Sequence, residues 1–347
     1  MKNFKIKEKW IGENKECYII AEIGSNFDGD LSKAKKLIKK AKECGADAAK
    51  FQSFSTSKLL SKKGFEQKKA FQSNWKKSVW QVYEDAEFPR KWHKILNDYA
   101  NKIGIHFFTS PWDFDAVKLL KELDVPAIKI GSGDITYFEI LKKIGLLKKP
   151  IFLATGASTL DEIEEAVKII QSTKNKKIIL MHSITQYPSP IEEANIKAMN
   201  SLKTKFKLNI GYSDHSPGSL VALASVALGA SVIEKHFTLD SKSDGPDHPH
   251  SMEPDEFKKM VTEIRKLEKA LGNGIKKVEK SETETRVYQR RGIWTTTKIK
   301  KGEKFTSNNI EALRPVKGIP ASKYQKIIGK KAKREFLEFE PIMEKDI

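Results

Sequence analysis

Two histidines end short apolar runs that are separated by one helix in the sequence. His215 closes the run that begins at Gly211, and His236 closes the run that begins at Ser231, with a segment of crossover-helix length between them. In parallel α/β folds the carboxyl ends of neighbouring strands lie side by side, so both imidazoles could face one ligand. A divalent metal ion is the natural candidate. The simpler alternative is two unrelated loop histidines.

Other apolar runs also end in residues that carry chemistry. Lys50 and Lys129 lie inside apolar runs, where a lysine is costly unless an anion meets it. With hydroxyls and the amides of residues 131–133 nearby, that anion could be a phosphate with a carboxylate, although each lysine could instead pair with a carboxylate of the protein. The polar residues at the eight run ends are Glu22; Lys50 and Gln52; Thr109 and Ser110; Lys129, Ser132 and Asp134; Thr155; His182, Ser183 and Thr185; Ser213 and His215; Glu234 and His236.

These residues converge only if the runs are strands of one sheet. Eight strand-like runs alternate with helical segments over about 255 residues, which predicts a (β/α)8 TIM barrel. A doubly wound open sheet is the alternative, but no G-x-G-x-x-G follows the first run, so a dinucleotide-binding fold loses its main support. The predicted strands are residues 18–24, 46–52, 105–111, 127–130, 150–154, 177–182, 211–215 and 231–236.

The remaining segments flank or interrupt this barrel. The first ~15 residues predict a short flap or hairpin anchored by Trp10, and residues 53–88 an irregular insertion of the kind that often forms a lid or binding loop. We expect a catalytic barrel over residues 1–273, a charged linker over 274–290, and a small domain over 291–347 that is marginal alone and docked.

Composition excludes several classes of function. Of the 347 residues, 39% are hydrophobic and 31% are charged, which is typical of a soluble globular protein, and no apolar run or signal sequence predicts a membrane span or export. We therefore expect a cytoplasmic protein. The net charge of +19 is spread over nearly every helix, which favours solvated faces and an anionic small substrate over nucleic acid. Cys17 and Cys44 are the only cysteines, which argues against a disulfide framework.

A set of motifs spans the whole chain: Ala21-Glu-Ile-Gly24, Lys50-Phe-Gln52, Lys129-Ile-Gly-Ser-Gly133, Tyr187-Pro188, Gly211-Tyr-Ser-Asp-His215, Glu234-Lys-His-Phe-Thr238, Gly245-Pro-Asp-His248, Arg290-Arg291, Ile299-Lys-Lys-Gly302 and Leu313-Arg-Pro315. Together they resemble the sialic acid synthase family, which makes N-acetylneuraminate and related nine-carbon acids. The resemblance implies a (β/α)8 barrel followed by a small antifreeze-like (SAF) domain. It also implies a domain-swapped homodimer that condenses phosphoenolpyruvate with N-acetylmannosamine or a related 2-acetamido sugar.

The resemblance also implies roles for individual residues. His215 and His236 would bind Mn²⁺ or Mg²⁺, which would polarise the sugar aldehyde as a Lewis acid. Glu22 and Asp134 would be the acid/base carboxylates while C3 of the enol attacks the aldehyde, water adds at C2, and phosphate leaves with C–O cleavage. Phosphoenolpyruvate would be held by Lys50, Ser110, Lys129, Ser132, Thr185 and Ser213, and the acetamido sugar by Tyr187, Asp247 and, from the partner subunit, Arg314.

The chain departs from the family pattern at several of these positions. Asp134 stands where glutamate is common, Ala154 where serine is, Thr185 where asparagine is, and Phe27-Asp28 where the first loop usually reads His-Asn. The sugar stays open among N-acetylmannosamine, its phosphate, and legionaminate- or pseudaminate-type precursors. Two rival functions are a metal-dependent sugar aldolase or isomerase barrel that does not use phosphoenolpyruvate, and a carbohydrate- or ice-binding protein. The second rival has no use for paired histidines and lysines at strand ends.

Overall fold

The computed structural model of the protein describes residues 3–68, 72–73 and 75–347. The chain divides into two compact units, residues 1–272 and residues 273–347. None of the helices in the described ranges is long and apolar enough to cross a lipid bilayer.

Eight parallel strands form the sheet of the first unit, after an N-terminal hairpin of β1 (Phe4–Ile6) and β2 (Lys9–Ile11). The hydrogen-bonded order is β5-β4-β3-β10-β9-β8-β7-β6, and the Cα atoms of β5 and β6 approach within 8 Å, which closes the sheet into the predicted barrel. The strands are β3 (Tyr18–Gly24), β4 (Ala48–Ser53), β5 (His106–Pro111), β6 (Ile128–Ile130), β7 (Ile151–Ala154), β8 (Ile178–His182), β9 (Asn209–Asp214) and β10 (Val232–His236).

Helices connect the strands and pack their apolar faces onto the barrel. Thr159 and Glu162 form the capping box that begins one of them, by satisfying backbone N–H groups that a helix start leaves free. The helices of this unit are α1 (Leu31–Glu43), α2 (Thr56–Leu59), α3 (Val79–Ala86), α4 (Trp92–Ile103), α5 (Phe114–Glu122), α6 (Phe138–Leu146), α7 (Leu160–Ser172), α8 (Ala198–Phe206), α9 (Leu220–Ala227) and α10 (Pro254–Leu271).

Strand register determines which polar side chains become neighbours. On β3, Glu22 lies in register with Lys50 of β4 on one side and with His236 of β10 on the other. On β10, Glu234 lies opposite Ser213 of β9. Because alternate residues of a strand point to the same face, Glu234 and His236 share one side of the sheet. The carboxyl ends of these four strands therefore present one continuous set of polar groups.

The N-terminal hairpin is present, but Trp10 is not its anchor. The Trp10 side chain is 47% exposed, and it pairs across the hairpin with Lys5, whose Nζ lies 5.0 Å from the ring centroid. Ile6 and Ile11 are fully buried in the core of the unit and anchor the hairpin instead. Alternation along so short a strand sends the isoleucines inward and leaves the larger tryptophan outside.

The insertion between β4 and α4 is more ordered than its sequence predicts. Within residues 53–88, of which 69–71 and 74 lie outside the described residues, the helices α2 and α3 form. Phe54 stacks on Trp112, with ring centroids 5.1 Å apart, and Tyr83 packs on the edge of Phe54 at 5.7 Å. Aromatic packing therefore gives this segment a local core, and its role as a lid stays a prediction.

The second unit is built around a small apolar core. It contains α11 (Glu282–Gln289), β11 (Gly292–Thr295), β12 (Ile310–Leu313) and α12 (Tyr324–Ile327), with β11 and β12 antiparallel. Ile293, Phe305 and Ile342 are fully buried in its core. The stretch predicted to be a linker, residues 274–290, includes α11, a helix without a buried residue.

Candidate active site

Four buried charged side chains meet inside the barrel. Lys50 Nζ lies 2.6 Å from Glu22 Oε2 and 3.7 Å from Glu234 Oε1, and Lys129 Nζ lies 2.6 Å from the same Glu234 oxygen. Ser213 Oγ donates to that oxygen at 3.0 Å. At most 5% of any of these four charged side chains is exposed. Both lysines therefore meet carboxylates of the protein, and two positive charges balance two negative ones.

The two carboxyl groups of this cluster differ in acidity. Burial raises the pKa of Glu22 to about 7, with repulsion from Glu234 adding to the rise and Lys50 opposing it. Burial also acts to raise the pKa of Glu234, but Lys129 and Lys50 outweigh it and bring that pKa to about 2. Two lysines form ion pairs with Glu234, whereas only one does so with Glu22. Near neutral pH, Glu22 can therefore hold or release a proton while Glu234 stays ionised.

Aromatic rings surround the two predicted metal-binding histidines. The ring centroids of His215 and His236 lie 5.7 Å apart, and Tyr187 packs on His215 at 4.3 Å. A third imidazole, that of His250, lies 4.6 Å from His236 and 5.3 Å from Tyr187. The barrel thus brings together the two histidines that the sequence selected, and it adds one that the sequence analysis did not.

Both strand-end histidines have the form that binds a cation. The Nδ1 atom of His215 lies 2.8 Å from the carbonyl oxygen of Ile184, which can only accept, so Nδ1 carries the proton and Nε2 keeps its lone pair. Burial lowers the pKa of His215 to about 4 and that of His236 well below its usual value. Nδ1 of His236 is buried without a hydrogen-bond partner among the described residues. These neutral rings fit a divalent cation, whose Lewis acidity a carbonyl substrate could use.

Asp247 is held by the loop that follows the first barrel strand. Its Oδ2 atom accepts hydrogen bonds from the backbone N–H of Ser25 at 2.8 Å and from the Ser25 hydroxyl at 2.9 Å. Next to it, His248 Nε2 lies 2.9 Å from Asp28 Oδ1 and its Nδ1 lies 2.6 Å from the Thr238 hydroxyl. The loop after β3 and the loop after β10 are therefore fastened together. Asp28 makes this contact at a position where the sequence departs from the family pattern.

Hydroxyl groups line the other side of the barrel end, around Gly156. Its backbone N–H donates to Ser132 Oγ at 3.1 Å, and Ser132 Oγ lies 3.4 Å from Ser183 Oγ. A Cβ atom placed on Gly156 would lie 2.2 Å from Thr185 Oγ1, 2.7 Å from Ser183 Oγ and 2.9 Å from Ser132 Oγ. Three hydroxyls thus converge on one glycine, and only a residue without a side chain leaves them room. Such a set suits the oxygens of a phosphate.

The other predicted residues are placed as follows. Ser110 joins the charged cluster, since its hydroxyl lies 3.3 Å from Lys50 Nζ. Asp134 belongs to the loop after β6 with Ser132, and burial raises its pKa to about 6. Arg314 follows β12 in the second unit, so its predicted place in a partner subunit's site stays a prediction.

Besides Ser183, three residues belong to the site although the sequence analysis assigned them no role. Glu234 joins the two lysines, and Gln52 Nε2 donates to Glu22 Oε1 at 2.8 Å. Both occupy strand ends, so their position gave a signal, but nothing in the sequence gave their partners. His250 was missed outright. Its spacing of three residues from Asp247, in the loop after the last strand, was the available signal.

Comparisons with known proteins identify the family of the chain. The family model described as the NeuB family matches residues 37–276, and that of the SAF domain matches residues 290–347. An N,N'-diacetyllegionaminic acid synthase of Campylobacter jejuni is 46% identical over 335 residues, which is 95% of this chain and 100% of the relative. A pseudaminic acid synthase of the same species is 37% identical over 323 residues, 93% of this chain and 94% of the relative.

A solved structure shows the same fold. The N-acetylneuraminic acid (sialic acid) synthetase of Leptospira borgpetersenii, in complex with citrate, superposes with a TM-score of 0.75 at 34% identity. The match covers 82% of this chain and 95% of that one. The family that the motifs predicted is thereby confirmed. By the extent of these matches the chain belongs to the NeuB family, an enzyme of the sugar-acid synthase type with a SAF domain at its C-terminal end.

Proposed function

We propose that the protein joins phosphoenolpyruvate to a 2-acetamido sugar aldehyde and releases a nine-carbon sugar acid and phosphate. One observation carries the proposal: Lys50 and Lys129 are buried at the same barrel end as His215 and His236. The two lysine ammonium groups suit an anionic substrate. The two imidazoles suit a metal cation that activates a carbonyl group. The synthase names of the relatives support the same reaction.

The charged cluster and the hydroxyl set would hold phosphoenolpyruvate. Protonation of Glu22, whose pKa of about 7 permits it, removes one negative charge and leaves Lys50 able to pair with an incoming anion. The hydroxyls around Gly156 would take the phosphate oxygens. The residues assigned to this substrate are Lys50, Ser110, Lys129, Ser132, Thr185 and Ser213, with Ser183 added by its place in the hydroxyl set.

His215 and His236 would hold Mn²⁺ or Mg²⁺, and such an ion, when bound, supplies Lewis acidity for the sugar aldehyde. The protein's own part is to keep both rings neutral and oriented. The Ile184 carbonyl fixes the tautomer of His215, and burial keeps the proton off His236. Tyr187 packs against His215 and shields that side of the ring from water.

Glu22 and Asp134 would carry the protons of the reaction. Their pKa values, about 7 and about 6, suit groups that must both accept and return a proton near neutral pH. C3 of the enol attacks the aldehyde carbon, C2 becomes cationic, water adds at C2, and phosphate leaves with C–O cleavage. We assign one carboxylate to the proton of that water and both to stabilising the cation.

Tyr187, Asp247 and Arg314 would bind the sugar, the last from the partner subunit of a domain-swapped dimer. The relative with 46% identity is named for a product that carries two N-acetyl groups. A diacetamido sugar is therefore the first substrate to try, before N-acetylmannosamine or its phosphate.

The deciding experiment measures phosphate release from phosphoenolpyruvate with a panel of 2-acetamido hexoses. We expect release that requires both substrates and that falls at least about 100-fold in Lys129→Ala. Lys36→Ala, which removes an exposed lysine of α1, is the matched control and should retain full activity. Conversion of a sugar without any need for phosphoenolpyruvate would instead establish an aldolase or isomerase.

A further inference from the structure

The loop between β10 and α10 brings a third histidine, His250, to the imidazole pair. Donor atoms of His236, Asp247 and His250 all lie within 4.8 Å of one another. No role in phosphoenolpyruvate or sugar binding has been given to His250, and the ring of His250 contacts both His236 and Tyr187. Three ligands that a transition-metal site can use, two imidazoles and one carboxylate, thus converge from a strand end and the following loop.

Two nitrogens of this group have no hydrogen-bond partner in the described part of the chain. Nδ1 of His236 and Nε2 of His250 are buried without a hydrogen-bond partner among the described residues. The distance from His250 Nε2 to Asp247 Oδ1 is 3.9 Å, too long for a hydrogen bond. Aromatic packing alone would explain the ring contacts but would leave both nitrogens unsatisfied, which is costly inside a protein. A bound cation would satisfy both.

The surrounding contacts fix the loop in place. Asp247 uses Oδ2 for its two hydrogen bonds from Ser25, so Oδ1 is the oxygen that faces His250. The Ser251 hydroxyl donates to the Asp247 carbonyl at 2.6 Å, and the backbone N–H of Met252 donates to the carbonyl of His236 at 2.9 Å. The loop is therefore tied directly to the strand that carries His236. Preorganisation of this kind is what a metal site requires of its supporting residues.

The dimensions suit a small divalent cation. Metal–ligand distances of about 2.1 Å at tetrahedral angles place neighbouring donor atoms about 3.4 Å apart. A group whose donor atoms span at most 4.8 Å would close around the ion with a movement of about 1 Å. Side-chain rotation supplies such a movement without disturbing the strand.

We propose that His250 and Asp247 bind, together with His236, the divalent cation that the proposed function places at His215 and His236. The inference rests on that function for the presence of the cation, and it adds two protein ligands. An additional imidazole makes the site select Co²⁺, Ni²⁺ or Zn²⁺ over Mg²⁺ more strongly, because nitrogen ligands favour the later transition metals.

The test is binding of Co²⁺ alone to the metal-free, full-length protein, without substrates. We expect His250→Gln to weaken Co²⁺ binding at least about tenfold in competition with a chromophoric chelator, and to weaken Mg²⁺ binding less. His106→Gln is the matched control, since this buried histidine begins β5 and bonds Tyr18 and Glu8, and the Co²⁺ affinity of this variant should stay within about twofold of the wild-type value.

A gain of signal guards against a variant that merely fails to fold. In His250→Cys the new thiolate should bind Co²⁺ and produce a sulfur-to-cobalt charge-transfer band in the near ultraviolet. A folded His250→Cys without that band, or His250→Gln with wild-type Co²⁺ affinity, would overturn the inference. If His236→Gln still weakens Co²⁺ binding in that case, the proposed function survives. If it does not, the cation site itself is wrong.

Discussion

Lys129 Nζ lies 2.6 Å from Glu234 Oε1, and both side chains are buried in the barrel. Removal of one partner leaves the charge of the other buried and unpaired. We expect Lys129→Met to lower the free energy of unfolding by about 3–5 kcal/mol and to abolish phosphoenolpyruvate-dependent phosphate release. The double variant Lys129→Met/Glu234→Met removes both charges and should recover most of the stability in urea unfolding. An active double variant would show that the pair only supports the fold.

The opposite pKa shifts of Glu22 and Glu234 predict two separate pH effects on stability. The folded-state pKa of Glu22 is raised from 4.5 to about 7, so the folded protein holds a proton that the unfolded chain releases. Stability should therefore fall as pH rises from 4.5 to about 7, and Glu22→Gln should remove that decline in urea unfolding.

The pKa of Glu234 is lowered from 4.5 to about 2, so its stabilising contribution is lost as the pH falls through that range. We expect Glu234→Gln to remove part of the acid-side decline and to leave the neutral-side slope in place. Identical pH profiles for the two variants would mean that the two carboxyl groups titrate alike, contrary to the contacts described above.

Gly156 is predicted to admit no side chain. In Gly156→Ala the new methyl group would displace the hydroxyls of Ser132, Ser183 and Thr185, and kcat/KM for phosphoenolpyruvate should fall on the order of 100-fold. Gly64→Ala is the matched control, because this exposed glycine belongs to no substrate-binding set and a Cβ atom there comes no closer than 3.3 Å to a neighbouring atom. Steady-state kinetics of the two variants decide the point, and equal losses would remove the argument for a phosphate site at Gly156.

Metal removal tests the imidazole pair. We expect exhaustive chelation to abolish phosphate release, and added Mn²⁺ to restore it in the wild type but not in His215→Ala or His236→Ala. His106→Gln is a suitable control, because this buried histidine bonds Tyr18 and Glu8 instead. Full activity in chelated protein would contradict the assignment.

Arg314 is predicted to act across subunits. Arg314→Ala should raise KM for the sugar, since a guanidinium paired with a substrate contributes binding energy that alanine cannot replace. The decisive measurement mixes Arg314→Ala with Lys129→Ala protein under conditions that exchange subunits. If Arg314 completes a partner's site, the mixture gains one intact site per heterodimer and exceeds the summed activities of its parts. If the activity of the mixture only equals the sum of the two separate activities, Arg314 does not complete the partner's site.

The sequence predicts the barrel well because its signal is local. The first barrel strand, Tyr18–Gly24, has the bounds that its apolar run and flanking turn indicate. Trp10 was misassigned, because hydrophobicity alone does not tell which face of a two-stranded hairpin turns inward. Strand ends were likewise readable, since polar residues interrupt apolar runs there.

Partners across the site were harder to predict. Lys50 and Lys129 predicted a bound anion, but the sequence could not indicate that they would form ion pairs with Glu22 and Glu234. His250 escaped notice because its neighbours depend on how the last loop folds back onto β10. The cluster forms because the folded chain brings this loop to the end of β10, which the composition of the sequence does not show.

The first and last strands of the barrel, β3 and β10, lie side by side, and Ser25 and Asp28 bind the loop that follows β10. During synthesis, Glu22 emerges from the ribosome more than two hundred residues before His236 and His250. The pocket therefore cannot exist on a nascent chain until translation has passed residue 250. Termination of translation before residue 250 would therefore remove His250 and yield no partly working catalyst.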